Sequence, residues 1–140
     1  MDFLLDTNIV LDVLCDRQPF VVAAKALWLK VEEGEVRASL TATTVAAVFY
    51  LVHKQLGAAA ARQAVADLLT TFDICPVNRA ILQAALSKPM SDYEDAIQDA
   101  AAELAGIPLI VTRNPGNFAG STRRIVDPAT LVAELANPQP

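Results

Sequence analysis

The residues best suited to chemistry are two groups of carboxylates lying far apart in the chain. The first is Asp6, which ends the apolar opening Phe3-Leu4-Leu5 and begins Asp6-Thr7-Asn8, the start of a helix reading Ile9-Val10-Leu11-Asp12-Val13-Leu14. A buried strand that stops at a carboxylate carries the charge to the C-terminal edge of a sheet, where open α/β folds put their ligands. The second is Ser91-Asp92-Tyr93-Glu94-Asp95-Ala96-Ile97-Gln98-Asp99, followed by Leu109-Ile110-Val111-Thr112-Arg113-Asn114. Together they look like a metal site, because hard divalent cations take oxygen ligands and carboxylates on one rim can hold such an ion against a phosphate.

On a helical wheel Asp92, Asp95, Asp99 and Glu103 share one narrow arc, with Ile97, Ala100, Ala101 and Leu104 on the other side. Like charges at this spacing weaken an isolated helix by ~0.2–0.5 kcal/mol per pair. No Lys or Arg stands four residues from any of them within the helix, so something else compensates. A divalent cation would do so, but solvation of an exposed face is the reading that spacing alone favours. Ser91-x-x-Glu94 reads as a capping box, which makes Glu94 structural. Asp6 can also act simply as an acid at a helix N-terminus, although an acid abutting a buried strand usually has a polar partner. His53 has no Cys, Asp or second His at ligand spacing and reads as an ordinary helix residue. Cys15 and Cys75 sit in apolar surroundings and read as reduced, packed thiols. There is no Gly-rich phosphate loop and no Gly-x-Ser-x-Gly elbow. Asn8 stands where a second acid would be needed for phosphoryl transfer through Asp6.

The elements that must position these residues alternate along the chain. A helix with Val22, Ala23, Ala26, Leu27 and Val31 follows Pro19, then a strand from Val36 to Leu40. Next come a helix striped by Val45, Val48, Phe49 and Val52 up to Gly57, and another over Ala58–Thr71, together a helical hairpin. Asp73-Ile74-Cys75-Pro76 reads as a strand end, Asn78 as the cap of Arg79–Ser87, and Ser91 as the cap of the acidic helix that stops at Gly106. Leu109–Thr112 is the next buried strand, Ile125-Val126 a short edge strand, and Pro128 opens a terminal helix with Leu131, Val132 and Leu135 inward. Strands alternating with helices imply a parallel sheet covered on both faces, with the ends of the first and fourth main strands on one rim.

Composition sets outer bounds. A chain of 140 residues, 54% hydrophobic, supports one domain over 1–140 with a full core. Lys25, Lys30, His53, Arg62 and Asp67 break the apolar regions before any reaches membrane-spanning length, and neither a basic leader nor a cleavage site is evident, so a soluble, intracellular protein is expected. The net charge of −5 argues against nucleic-acid binding through a broad basic surface; any such contact is local, with a cation screening the phosphates.

Leu4-Leu5-Asp6-Thr7-Asn8-Ile9-Val10-Leu11-Asp12, Asp92-Tyr93-Glu94-Asp95-Ala96-Ile97-Gln98 and Ile110-Val111-Thr112-Arg113-Asn114, in this order, resemble a PIN domain, in particular the VapC-type toxin ribonucleases of bacterial toxin–antitoxin pairs. The resemblance implies a three-layer α/β fold whose central, mostly parallel sheet has about five strands and helices on both faces. It implies Mg²⁺- or Mn²⁺-dependent hydrolysis of single-stranded RNA by three or four carboxylates, in the cytoplasm, by a toxin whose acidic rim is covered by a small antitoxin protein. Asp6 matches the first family acid and Asp95 the third, which makes these two catalytic; Asp92 and Asp99 are further metal candidates. Thr7, Asn8, Asp12, Thr112 and Asn114 fall in supporting positions. Asn114 stands beside the strand end where many members have the fourth acid, Asn117 precedes Phe118 where others have it, and Thr112 matches the hydroxyl residue before it.

The family's second acid ends a Ser/Thr-x-x-Thr-x-x-Glu segment, and Thr41-x-x-Thr44-x-x-Ala47 has Ala47 there. Asp12, Asp92 or Asp99 is then the candidate to supply the missing charge. Arg113 at the rim is a candidate phosphate contact, Arg17 a weaker one, and an ion-paired or exposed loop arginine is the alternative for Arg113. The competing function is a catalytically degenerate PIN-like domain acting as a protein- or RNA-binding module. The Ala-rich helices suit close packing within the fold or across a homodimer.

Overall fold

The computed structural model describes residues 1–137. Short, largely apolar runs form strands β1 (Asp2–Leu5), β2 (Arg37–Thr41), β3 (Asp73–Cys75), β4 (Leu109–Val111) and β5 (Arg124–Val126). They make one sheet in the order β3-β2-β1-β4-β5 with every pair parallel, so β1 is central and β5 lies on an edge, as the alternating pattern predicts. The helices are α1 (Thr7–Leu14), α2 (Val21–Glu32), α3 (Ala42–Leu56), α4 (Ala58–Thr71), α5 (Arg79–Ala85), α6 (Tyr93–Ala105) and α7 (Pro128–Ala136). Among the described residues no helix is long and apolar enough to cross a membrane.

Successive strand residues point to opposite faces, and β1 divides its side chains accordingly. Phe3 and Leu5 enter a core with residues of α1, α2, α3, α4 and α7, whereas Leu4 enters a second core with residues of α5 and α6. The register decides what meets at the rim. Leu4 and Leu5 pair with Ile110 and Val111, and Leu4 also pairs with Ser39. Continuing both ladders sets Asp6 level with Thr112 on one side and Thr41 on the other, and the Asp6 N–H donates to the Val111 carbonyl at 2.9 Å.

Local chemistry ends the elements where they are needed. The Thr41 hydroxyl accepts the Thr44 N–H at 3.1 Å and caps α3, and the Asn78 side chain caps α5 through the Ile81 N–H. Gly57, at φ 92°, separates α3 from α4. The apolar face of α2 differs from expectation: Val21, Ala24, Leu27, Trp28 and Val31 are buried, while Val22 is exposed. The Trp28 ring packs edge-on against Phe72, centroids 4.9 Å apart, and fixes the rotation of a helix that is apolar nearly all round. Leu69 on α4 and Leu104 on α6, both expected inward, are exposed.

After β4 the chain makes a short 3₁₀ turn, Pro115–Phe118, with Phe118 buried, and then reaches Gly120 at φ 90°. A Cβ there would sit 2.7 Å from Pro89 Cγ in the segment leading to α6. Both the backbone angle and the close approach therefore require glycine. Gly120→Ala is expected to destabilise the protein by about 1–3 kcal/mol, read as a lower urea midpoint; an unchanged midpoint would mean that this loop does not press on Pro89.

Candidate active site

The strand-end acid is almost wholly out of water. Asp6 is 4% exposed, and each carboxylate oxygen has its own donor: the Thr112 hydroxyl to Oδ2 at 2.9 Å and the Gln98 amide to Oδ1 at 3.1 Å. Thr112 and Gln98 are themselves fully buried, and the Thr112 oxygen in turn accepts the Asn114 N–H at 3.1 Å. Register brings in Thr112, and α6 brings in Gln98. The other oxygen of Gln98, Oε1, is buried without a hydrogen-bond partner.

Thr7, directly after Asp6, donates to Glu94 Oε1 at 2.7 Å and lies 2.8 Å from the Thr44 hydroxyl, which is 3.1 Å from that of Thr41. The Glu94 contact corrects the capping-box reading. Asp92, not Ser91, caps α6, accepting the N–H groups of Glu94 at 2.8 Å and Asp95 at 3.2 Å. Two good capping residues stand side by side, and the aspartate also carries the charge that a helix N-terminus favours. Glu94 is thereby released toward Thr7.

Asp95 is half-buried in the next position. Burial first, and then repulsion from Asp6, Asp92 and Glu94, pushes its carboxyl up to about 7. Three neighbouring carboxylates therefore bear on Asp95 at this end of α6.

Asp99 and Glu103 do not join them. α6 leads from the rim back toward the start of β4, so each turn carries the next acid about 5.4 Å away from the strand ends. Buried Asp99 meets Lys88 Nζ at 3.0 Å and accepts from Ser121, and Lys88 also pairs with Glu103. A loop lysine, rather than a cation or solvent, thus compensates the lower half of the acidic row.

Asp12 is fully buried beneath two arginines: Arg113 Nε lies 3.1 Å from Oδ2, off hydrogen-bonding alignment, and Arg17 Nη1 lies 3.9 Å from Oδ1. Burial raises the Asp12 carboxyl, and Arg113 and then Arg17 oppose the rise. The Arg113 guanidinium also sits 4.1 Å over the Phe20 ring. Arg113 is thus the ion-paired loop residue of the alternative reading, and Arg17 shares its partner. Asn8 is half-buried in the first turn of α1, Asn114 and Asn117 are exposed, and Ala47 is half-buried on α3 one turn beyond Thr44.

Sequence reasoning missed the roles of Glu94, Gln98 and Thr44. Glu94 and Gln98 stand four residues apart and so share a helix face; a polar pair beside an Ala-rich buried stripe was the available signal.

Residues 2–115 match the family model described as PIN domain. The chain belongs to the PIN domain family. The three motifs that suggested it lie at the one rim where Asp6, Thr112 and the start of α6 converge. No protein of curated function matches the chain. Among solved structures, it is similar to a toxin–antitoxin complex from Klebsiella pneumoniae, with 26% identity, a TM-score of 0.67, and coverage of 89% of this chain and 96% of that one. FitAcB from Neisseria gonorrhoeae matches at 24% identity and a TM-score of 0.67, covering 90% of this chain and 97% of that one. A sarcin–ricin-loop-cleaving VapC toxin from Mycobacterium tuberculosis matches at 17% identity and a TM-score of 0.68, covering 85% and 95% respectively. At these lower identities the likeness is one of fold.

The donor set of this PIN domain suits a hydrated hard cation. Among the described residues no three His, Cys, Asp or Glu side chains already stand in ligand geometry around one point. Mg²⁺ needs no such cage, since it keeps several waters on one or two carboxylates. Asp6, Glu94 and Asp95 offer only oxygen, and among the described residues the acids around Asp95 have no basic ion-pair partner.

The raised Asp95 carboxyl has a consequence for stability. Its folded value of about 7 lies above the ordinary 3.8, so its contribution to stability is fully present below about pH 4 and is lost as pH rises through 7. In chelator, Asp95→Asn is therefore expected to gain stability relative to wild type between pH 4 and pH 7. Urea midpoints at several pH values measure this gap; a gap that stays constant would place Asp95 outside the carboxylate group.

Proposed function

We propose that this PIN domain is a metal-dependent endoribonuclease that hydrolyses single-stranded RNA, with Mg²⁺ or Mn²⁺ held by Asp6 and Asp95. The observation that carries the reading is a buried strand-end carboxylate, fixed at both oxygens by Thr112 and Gln98, beside a second carboxylate whose proton affinity is raised first by burial and then by its acidic neighbours. When bound, such an ion supplies an activated water and offsets charge on the scissile phosphate. Thr112 and Gln98 hold Asp6 in one orientation, and Asp92 fixes the first turn of α6 that carries Asp95. A cation held there would favour the ionised form of Asp95, whose carboxyl burial and neighbouring acids otherwise raise. Asp12 holds Arg113 at the same rim, so any phosphate contact by Arg113 competes with that pair.

The similarity to a toxin–antitoxin complex supports a further assignment: the protein is a toxin, active in the cytoplasm and restrained by a small antitoxin that covers the acidic rim. A second reading, a degenerate domain that binds RNA or protein without cutting, is favoured by Ala47 and by the exposed amides Asn114 and Asn117 in place of acids.

Cleavage of a labelled single-stranded RNA in Mn²⁺ separates the two. Asp6→Asn and Asp95→Asn are each expected to lower the rate by roughly a hundredfold or more, with melting temperature in chelator unchanged or higher for Asp95→Asn. Wild-type rates in both variants would refute the site. A wild-type protein that binds the RNA and leaves it intact would support the second reading.

A further inference from the structure

We propose that Glu94 supplies the carboxylate missing at Ala47, so that in this chain the third acid of the cation site comes from α6 instead of α3. The inference rests on the reading of Asp6 and Asp95 as a divalent-cation site and names a further ligand for it.

The hydroxyls of the segment that would normally lead to the α3 acid are all engaged. Thr43 and Thr41 stand 2.8 Å apart, Thr41 donates to Thr44 at 3.1 Å, Thr44 meets Thr7 at 2.8 Å, and Thr7 donates to Glu94 Oε1 at 2.7 Å. Each hydroxyl has one hydrogen to give. With the Thr7 hydrogen committed to Glu94, the Thr44 hydrogen must go to Thr7, and the whole chain runs one way, toward a carboxylate. Glu94 thus ends from α6 a hydroxyl network that begins on α3, beside the turn that carries Ala47. Oε1 takes the Thr7 hydroxyl, which leaves Oε2 for a cation.

A second observation is independent of the acids. Gln98 lies one helical turn beyond Glu94, is fully buried, and gives its amide N–H to Asp6, yet its Oε1 has no partner. A buried acceptor left unpaired beside Asp6 calls for a donor, and the hydration shell of a divalent ion is a source of donors.

The other candidates for the missing charge are engaged elsewhere. Asp12 faces Arg113 and Arg17, Asp99 holds Lys88 and Ser121, and Asp92 caps α6. Glu94 has no helix-capping duty and no cationic partner among the described residues.

Isothermal titration of the metal-free full chain with Mn²⁺ at one pH tests the assignment. Glu94→Gln keeps an oxygen for Thr7 and removes only the charge. It is expected to weaken Mn²⁺ binding about tenfold or more, with a melting temperature in chelator no lower than wild type. Adding Ala47→Glu to Glu94→Gln is expected to restore most of the lost affinity, because the new acid enters from the α3 side of the same hydroxyl network. Wild-type affinity in Glu94→Gln, with binding lost in Asp6→Asn, overturns the role of Glu94 and leaves the cation site standing. Unchanged affinity in both Asp6→Asn and Glu94→Gln overturns the site and this inference together. A double variant as weak as Glu94→Gln overturns the claim that Glu94 stands in for residue 47.

Discussion

A carboxylate placed at the buried end of the central strand must be solvated by the protein, and most of the local architecture follows from that constraint. The effective cost of burying such an ion is several kcal/mol, against about 1.5–3 kcal/mol returned by each hydrogen bond to a charged group. Asp6 has two such bonds, from Thr112 and Gln98, and they hold it in place. The parallel register of β1 with β4 is what brings Thr112 level with it, and the packing of α6 on the face that receives Leu4 is what brings Gln98. The same two contacts fix the orientation in which Asp6 faces the first turn of α6.

The acids divide into two populations by their counter-charges. Asp12, Asp99 and Glu103 have basic partners in Arg113, Arg17 and Lys88, and they tie loops to helices. Asp6, Asp92, Glu94 and Asp95 gather at the rim without one among the described residues, and burial together with that crowding raises the Asp95 carboxyl. Helical rise separates the two groups, because a single acidic stripe that leaves the rim at 5.4 Å per turn cannot converge on one point along its whole length. The stripe on the wheel therefore reads as one feature in sequence and as two in space.

What the residues disclosed on their own was what depends on local pattern. Alternating apolar runs and capping residues marked nearly every element, with α4 at Ala58–Thr71 and the Asn78 cap found as expected. The convergence of Asp6 with Thr112 was legible too, because parallel crossovers force the ends of β1 and β4 together. Tertiary choices were not legible. Lys88 meets Asp99 only because the segment before α6 folds back along the helix, and α2 is too apolar for a wheel to choose its face before Trp28 meets Phe72. Glu94 was hidden by a local rule that fitted it well: Ser91-x-x-Glu94 has the letters of a capping box, but Asp92 takes the cap and a threonine on α1 takes the glutamate.

The central claim is that Asp6 anchors a divalent cation shared with the start of α6. Anomalous diffraction from crystals of the full chain soaked in Mn²⁺, at a concentration that supports RNA cleavage, tests it most directly. The account predicts one strong peak at the rim, coordinated by Asp6 and by at least one carboxylate of α6's first turn. A rim without a peak at that concentration, or a peak found only beside Asp99 and Lys88, would contradict it.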